Sequence, residues 1–346
     1  MERVPPMLAK LARELPRGDY LYEPKWDGFR CLAFRSGDEI DLRSRHGRPL
    51  ARYFPELVEA IGRLPYTRLA LDGEVVVVAR DTFDFSALLA RIHPAGSRVE
   101  RLRTETPASF VAFDLLELGD ELLLDRPFVE RRARLESVLA DASAPLVLTP
   151  ITADPEVATD WLDGFGGGVD GVVAKARAAP YQPGKRALVK VKRARTAECV
   201  VAGFRFLAER PAVSSLLLGL YDTDGRLEHV GITSSFSEEQ RARLLATLRP
   251  LVTPLEGHAW EHGFLLSGSP IGRLRGSAGR WTPEMVRDWL PVRPELVCEV
   301  AYDQLDGGRF RHPARFLRWR PDREPESCTT EQLAVEPVDA GSLLAS

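Results

Sequence analysis

Branched and aromatic residues are concentrated in four short runs of the first half of the chain. The runs at 71–79, 110–116, 169–174 and 187–191 predict β-strands, because such side chains suit a pleated, half-buried surface. Apolar residues recur at helical spacing in 86–92 and 130–140, which predicts two helices. The first half therefore mixes strands with helices, and several polar segments lie at the predicted strand ends.

After residue 197 the pattern changes to repeated strands. We predict them at 199–206, 215–221, 227–232 and 295–302, with a hairpin turn at Asp222-Thr223-Asp224-Gly225. Ser237 with Gln240 three residues later predicts a capping box that opens a helix ending near residue 248. Several short strands with one helix are typical of an OB-fold barrel, and the pattern also suits other small β-barrels.

Composition indicates a soluble protein with two domains. The 346 residues are 44% apolar and 28% charged, and the longest apolar run, 215–221, is too short to span a bilayer. The N-terminus lacks an apolar leader segment. The four cysteines show no Cys-x-x-Cys spacing, which argues against a zinc site or a disulfide scaffold and predicts a reduced cytoplasm.

Lysine is rare in this chain. Only six of the 47 basic residues are lysines, and four of these six fall between 175 and 192, while another lies in Lys25-Trp26-Asp27-Gly28. Arginine stays protonated, whereas a lysine amine can lose its proton and attack an electrophile. Alone, this segment is more typical of an exposed Asp-Gly turn with a solvated lysine beside it. The placement of the lysines nevertheless favours chemistry over general charge.

Several ordered segments resemble the motifs of the covalent nucleotidyltransferases, which include DNA ligases, RNA ligases and capping enzymes. The segments that carry the resemblance are Lys25-Trp26-Asp27-Gly28-Phe29-Arg30, Ser44-Arg45-His46-Gly47, Leu71-Asp72-Gly73-Glu74, Phe113-Asp114-Leu115-Leu116, Asp170-Gly171-Val172-Val173-Ala174-Lys175 and Lys190-Val191-Lys192. Arg318-Trp319-Arg320-Pro321-Asp322-Arg323 resembles the last motif of ATP-dependent DNA ligases. The resemblance spans residues 5–325, and it is greatest to the short bacterial ligase C type and to the ligase module of ligase D.

This resemblance implies an α+β fold in two domains. Residues 1–195 would form an adenylation domain of antiparallel sheets with flanking helices, and residues 196–324 an OB-fold barrel. Residues 325–346 are rich in Pro, Ser, Thr and acidic residues near their start and predict a flexible tail.

The resemblance also implies nick sealing in three steps. Lys25 would attack the α-phosphate of ATP and carry AMP, the AMP would pass to the 5′-phosphate of a nick, and the 3′-hydroxyl would expel it. ATP is the substrate, and Mg²⁺, for which Mn²⁺ can substitute, is the metal. Each step is a phosphoryl transfer, so the protein mainly positions groups and neutralises charge.

Site residues follow from motif positions. Glu23 matches the acidic residue that recognises adenine, partly through its backbone, and Phe113 matches the aromatic that stacks on adenine, with a core phenylalanine as the alternative. Arg30 and Arg45 match residues that hold the sugar and phosphates, with ordinary surface arginines as the alternative. Glu74, projecting from a strand end, would contact the ribose and support the metal; its alternative is a surface turn at Asp72-Gly73.

The remaining positions concern phosphates and metal. Asp170 would ligate Mg²⁺ with Glu74, although many family members have glutamate at this position. Lys190 and Lys192, on one face of a strand, would bind the α-phosphate. The other predicted contacts are Lys175 and Arg186 to phosphates, and Asp322 and Arg323 to the departing pyrophosphate, with Arg323 where lysine is usual.

The expected substrate is nicked double-stranded DNA, bound by a monomeric protein that acts on the nucleoid, does not associate with membranes and works with repair proteins. The net charge of −3 permits this, because binding depends on where the charges lie. Three alternatives stay open at this point: an RNA ligase, a guanylyltransferase and a non-catalytic binding protein on a decayed ligase fold. The intact lysines argue against the last.

Overall fold

The computed structural model describes residues 4–79, 82–92, 95–164, 169–192, 195–261 and 289–334. The chain divides into two compact units, unit 1 (Met1–Arg193) and unit 2 (Ala194–Ala334). Each unit has a hydrophobic core of its own. Residues 335–346, the last part of the predicted tail, lie outside the described residues.

Unit 1 contains eleven strands in the part of the chain that the structure describes. In chain order they are β1 (Leu8–Ala12), β2 (Tyr20–Trp26), β3 (Phe29–Ser36), β4 (Glu39–Ser44), β5 (Arg68–Ala79), β6 (Thr82–Phe83), β7 (Ala108–Leu118), β8 (Glu121–Leu122), β9 (Leu146–Leu148), β10 (Val169–Ala176) and β11 (Arg186–Val191). Strands β5, β7, β10 and β11 contain the four runs that the sequence predicts.

These strands form two sheets. The larger has the order β4-β3-β5-β7-β8, with β6 on β5 and β9 on β7, and the smaller has the order β1-β11-β10-β2. Most pairs are antiparallel, as predicted, but β1 pairs with β11 and β7 with β9 in parallel. Parallel pairing is possible there because long stretches of chain separate the two members of each pair.

Helices flank the sheets of unit 1, and the predicted pair are present. They are α1 (Pro55–Gly62), α2 (Phe85–Arg91), α3 (Gly96–Glu105), α4 (Phe128–Leu139) and α5 (Pro155–Gly164). Helices α2 and α4 match the predicted positions, and α4 buries Leu135 and Val138 in the core. In the described part of the chain, no helix is long and apolar enough to cross a membrane.

Unit 2 is the OB-fold domain. Its sheet has the order β14-β13-β12-β15-β18, formed by β12 (Arg195–Leu207), β13 (Arg210–Tyr221), β14 (Leu227–Thr233), β15 (Leu290–Tyr302) and β18 (Arg315–Trp319). Thr233 at the end of β14 bridges Ala314, just before β18, so the first and last strands of the sheet meet and curl it towards a barrel. A short pair, β16 (Leu305–Asp306) and β17 (Arg309–Phe310), completes the described strands.

The capping box predicted from sequence is present in unit 2. The Ser237 side chain accepts a hydrogen bond from the Gln240 backbone, and the Gln240 side chain accepts one from the Ser237 backbone. Together they open α6 (Glu238–Leu248) at the predicted position. Two of the four orphan donors at the helix start are thereby satisfied.

The prediction of a flexible tail from residue 325 was wrong for residues 325–334. Within unit 2, this segment forms two short 3-10 turns, Pro325–Ser327 and Thr330–Leu333. Cys328 and Leu333 belong to the core of the unit. Gln332 also exchanges hydrogen bonds with the backbone of Glu198 on β12. The two apolar side chains anchor this segment despite its polar composition, because their burial offsets the cost of ordering it.

Acid should destabilise unit 2 through His229. This β14 side chain is buried against Trp260, and burial lowers its pKa from 6.5 to about 3. Below pH 6.5 His229 is protonated in the unfolded chain but stays neutral in the folded chain. The stability that is present above pH 6.5 is therefore lost as the pH falls. We expect a loss of ~2 kcal/mol between pH 7 and pH 5.

Denaturant unfolding at both pH values checks this expectation. His229→Phe keeps an aromatic ring beside Trp260 and removes the titrating group, so it should lose correspondingly less stability. Equal losses in the two proteins would contradict the assignment.

Candidate nucleotide and active site

A cavity of about 330 Å³ opens in unit 1 and is lined by residues of both its sheets. This volume lies within the range of small-molecule sites, roughly 300–1,000 Å³. Nine residues predicted from the sequence line it: Glu23, Lys25, Arg30, Arg45, Glu74, Phe113, Lys175, Arg186 and Lys190. The fold thus gathers residues that are spread over more than 160 positions of sequence.

Lys25 lies near the end of β2, with its side chain 22% exposed. Its Nζ atom is 2.5 Å from Oδ2 of Asp170, whose side chain is almost completely buried. The Nζ atom of Lys192 lies 2.9 Å from the same oxygen. One carboxylate therefore lies between two ammonium groups and offsets one of their two positive charges.

Lys190 adds a third cation to this cluster. Burial lowers the pKa of Lys190 below its ordinary value, and the positive charges of Lys25 and Lys192 lower it further. An anion such as a phosphate would relieve the repulsion among these groups. Lys190 on β11 and Lys192 just after its end therefore both place positive charge near Lys25, although only Lys190 lies on the strand where both were expected.

Two motif glycines let the strands approach closely at this cluster. A Cβ on Gly171 would lie 2.1 Å from the carbonyl oxygen of Val191, and its φ is +138°. A Cβ on Gly28 would lie 2.1 Å from the carbonyl oxygen of Val75. Only glycine fits at such distances, so these residues fix how near Lys25 and Asp170 come to the neighbouring strands.

Glu74 lies in the middle of β5, so the expectation that it projects from a strand end was wrong, and Asp72-Gly73 is not a surface turn. The Glu74 carboxylate accepts a hydrogen bond from the Gly28 backbone at 3.2 Å. Burial raises its pKa to about 7, while the charges of Arg30 and Lys25 act in the opposite direction. Its protonation is therefore sensitive to any cation that enters the cavity.

Arg30 is fixed by a buried carboxylate. Its guanidinium donates two hydrogen bonds of 2.6 Å to Asp72, one to each oxygen, and its carbon lies 4.4 Å from the centre of the Phe113 ring. Arg30 is thus no ordinary surface arginine. By contrast Arg45 and Arg186 are exposed at the cavity rim.

The Lys175 ammonium group is bound by two groups of the cavity wall near Phe113. Its Nζ atom is buried, lies 2.8 Å from Glu23 Oε2 and donates to the backbone oxygen of Phe113 at 2.7 Å. Both contacts direct the Lys175 ammonium to the cavity wall near Phe113, and the predicted contact of Lys175 with a phosphate stays a prediction. Burial raises the pKa of Glu23, and Lys175 and Arg132 partly offset this. Phe113 belongs both to a small apolar cluster and to the cavity wall.

Two protein-family models match the chain. A family model described as "ATP dependent DNA ligase domain" matches residues 6–192, and one described as "ATP dependent DNA ligase C terminal region" matches residues 209–323. The chain belongs to the ATP-dependent DNA ligases.

Individual relatives agree with this family. The chain is 48% identical to DNA ligase C of Mycobacterium tuberculosis over 340 residues, covering 96% of this chain and 94% of the relative. It is 49% identical to DNA ligase C2 of Mycolicibacterium smegmatis over 338 residues, covering 96% and 95%. A solved structure of a Lig E DNA ligase aligns with a TM-score of 0.53 at 19% identity, over 91% of this chain and 99% of that one, which supports the fold.

Two carboxylates near Lys25, those of Glu74 and Asp170, are of the type that binds magnesium. Among the described residues, no group of three His, Cys, Asp or Glu side chains could hold a metal alone. Mg²⁺ commonly uses one or two carboxylates together with substrate phosphates and water. Glu74 and Asp170 both interact with Lys25, and a cation would favour the ionised form of Glu74. Asp170 and Glu74 are therefore suitable oxygen donors.

The terminal motif of the ligase lies in unit 2. Asp322 is exposed and pairs with Arg320 at 2.7 Å, and this side-chain hydrogen bond lowers the pKa of Asp322 to about 2. The Nε atom of Arg323 lies 2.6 Å from Glu198, which also binds Arg320. Both predicted residues thus take part in one network of ion pairs around Glu198.

Sequence reasoning missed three parts of the ligase site. The N-terminal residues Pro6, Met7, Leu8, Ala9 and Leu11 line the cavity, yet they carry no polar motif. Asp72 was seen as part of a turn rather than as the partner of Arg30. Tyr181, outside every motif, donates to Asp72 at 2.6 Å. A lone tyrosine and a short apolar segment gave no signal that could have identified them.

Proposed function

We propose that this ligase seals nicks in double-stranded DNA with Lys25 as the nucleophile that carries AMP. The observation that supports this assignment is the position of the Lys25 amine. It lies on the wall of a nucleotide-sized cavity, against Asp170 and beside Lys190 and Lys192.

In the first step the neutral Lys25 amine attacks the α-phosphorus of ATP. A P–N bond forms, the bond between the α-phosphorus and its bridging oxygen breaks, and pyrophosphate leaves with that oxygen. The amine must first release to solvent the proton that its ammonium form donates to Asp170. In the second step an oxygen of the nick's 5′-phosphate attacks the same phosphorus, a P–O bond forms, and the P–N bond breaks, which frees Lys25. In the third step the 3′-hydroxyl oxygen loses its proton and attacks the 5′-phosphorus, a P–O bond forms, and the bond from this phosphorus to the AMP oxygen breaks, so that AMP leaves.

The other cavity residues position the nucleotide. Lys190 and Lys192 neutralise charge on the α-phosphate, and Arg45 and Arg186 at the rim bind the outer phosphates. Phe113 stacks on the adenine, and Glu23 recognises it. Lys175 holds the Glu23 carboxylate. Arg30 and Glu74 contact the ribose.

Asp170 and Glu74 would hold Mg²⁺, which would stabilise the charge that develops on the α-phosphate and balance the carboxylate that otherwise faces Lys25. Asp322 and Arg323 are assigned to the departure of pyrophosphate, from their position in the terminal motif.

DNA rather than RNA is the proposed acceptor, because the relatives that cover nearly the whole chain are named DNA ligases. We further propose a role in repair, together with other repair proteins, for a monomer that acts in the cytoplasm on the nucleoid. An RNA ligase is less favoured, and a guanylyltransferase does not agree with the family matches.

Mass spectrometry of the purified protein tests the covalent step. Incubation with ATP and Mg²⁺ should add one AMP, and peptide mapping should locate it on Lys25. GTP should give no adduct, and EDTA should suppress the adduct with ATP. The isolated adduct should then seal nicked DNA without further ATP.

Each other result has a definite meaning. A GMP adduct would indicate capping chemistry, and sealing confined to nicked RNA would indicate an RNA ligase. The absence of an adduct with any nucleotide would leave the non-catalytic binding protein as the better explanation.

A further inference from the structure

The backbone of Met7 forms part of the cavity wall and is held from three directions. Its N–H donates to the hydroxyl of Tyr181 at 2.9 Å, and its carbonyl accepts from the Arg30 guanidinium at 3.3 Å. The backbone N–H of Gln182 lies 3.2 Å from its sulfur. Met7, an uncharged residue, is therefore fixed by groups far away in the sequence.

The Tyr181 hydroxyl connects Met7 to Arg30 by a second route. It donates to Oδ2 of Asp72 at 2.6 Å, and Asp72 accepts both hydrogen bonds of the Arg30 fork. Tyr181 is 3% exposed and Asp72 is completely buried. One chain of hydrogen bonds thus runs from Met7 through Tyr181 and Asp72 to Arg30, and its two ends line the cavity.

The chain of bonds is complete only with the tyrosine hydroxyl. Burial raises the pKa of Tyr181 far above its ordinary value, and the charge of Asp72 raises it further, so the hydroxyl keeps its proton. Without that hydroxyl, Asp72 would lose one donor and Met7 N–H would lose its acceptor. Buried groups left without a partner are costly, so the wall and the arginine would rearrange.

We propose that Tyr181 is a positioning residue for the nucleotide. Through Asp72 it holds the Arg30 guanidinium beside Phe113, and directly it holds the backbone wall at Met7, so that the purine nucleotide meets a preformed site. The proposal rests on the proposed function, in which this cavity takes ATP. Tyr181 acts through Asp72 and Arg30 and has no part in the transfer chemistry.

Tyr181→Phe isolates the hydroxyl, because the ring and its packing remain. We expect ATP to bind ~10-fold more weakly, the equivalent of one or two buried hydrogen bonds. The rate of AMP transfer at saturating ATP should stay within about twofold, because Arg30 holds the sugar alike before and during the transfer. Calorimetry with ATP in EDTA gives the Kd, and rapid quenching with ATP and Mg²⁺ gives the rate.

Tyr22→Phe is the matched control. Tyr22 is also buried, and its hydroxyl donates to the backbone oxygen of Pro16 at 2.7 Å, outside the chain of bonds to Arg30. This variant loses one buried hydrogen bond and should bind ATP as the wild type does. An equal weakening in both variants would show general destabilisation and overturn the proposal.

Hydrogen exchange in residues 4–12 supplies a second measurement. Tyr181→Phe should exchange faster there, because Met7 N–H has lost its acceptor. Faster exchange with unchanged ATP affinity would reduce Tyr181 to a structural role and overturn the proposal. If the wild type binds ATP but forms no adduct on Lys25, the proposed function fails while the affinity comparison still decides the role of Tyr181. If the wild type does not bind ATP, both fail.

Discussion

Replacing Lys25 by arginine is expected to abolish AMP transfer to the protein and leave its fold intact. Arginine keeps the positive charge that faces Asp170, so the ion pair can be retained. It cannot lose its proton to become a nucleophile, so adduct formation should fall by at least ~10³-fold. Intact mass after incubation with ATP and Mg²⁺, together with a thermal melt, measures both expectations.

Two controls sharpen the result. Lys10→Arg makes the same change at an exposed site on β1 and should form the adduct normally. A nicked DNA that already carries AMP on its 5′-phosphate requires no nucleophilic lysine, so Lys25→Arg should still seal it. An AMP adduct on the Lys25→Arg protein would show that the nucleophile lies elsewhere.

Replacing Gly171 by alanine is expected to damage both stability and activity. The new Cβ would meet the carbonyl oxygen of Val191 at 2.1 Å, and backbone cannot move aside as a side chain can. The φ of +138° adds strain. Together these effects should cost about 3 kcal/mol or more of unfolding free energy. A shift of ~1 Å between β10 and β11 would also separate Asp170 from Lys192, at a cost of ~10²-fold in adduct formation.

Gly37→Ala measures the effect of backbone strain without a steric clash of the new Cβ. Gly37 also has a positive φ, +63°, but a Cβ there would meet nothing within 4 Å. It should lose only about 1–2 kcal/mol and keep its activity. Denaturant unfolding and adduct formation, measured well below the melting temperature of each variant, test the pair. If both alanine variants behave alike, the close approach at Gly171 has no special importance.

Local signals were sufficient for much of the fold. The predicted strands at 71–79 and 110–116 lie inside β5 and β7, and the capping box at Ser237 opens α6 where expected. These elements depend on the periodicity of apolar residues and on short-range hydrogen bonds, and both are determined by residues that are close in sequence. The tail was mispredicted because Cys328 and Leu333 are anchored by residues far away in the chain.

The functional site divides in the same way. The ordered motifs from Lys25 to Arg323 were sufficient to predict the family and its chemistry, because several individually weak segments in the family's order are together specific. The ion pair of Lys175 with Glu23, and the hydrogen bond from Tyr181 to Asp72, 109 residues away, are visible in the tertiary structure alone. The physical reason is that a side chain's ionic and hydrogen-bonding partners depend on which strands the fold brings together, and spacing along the chain does not record this.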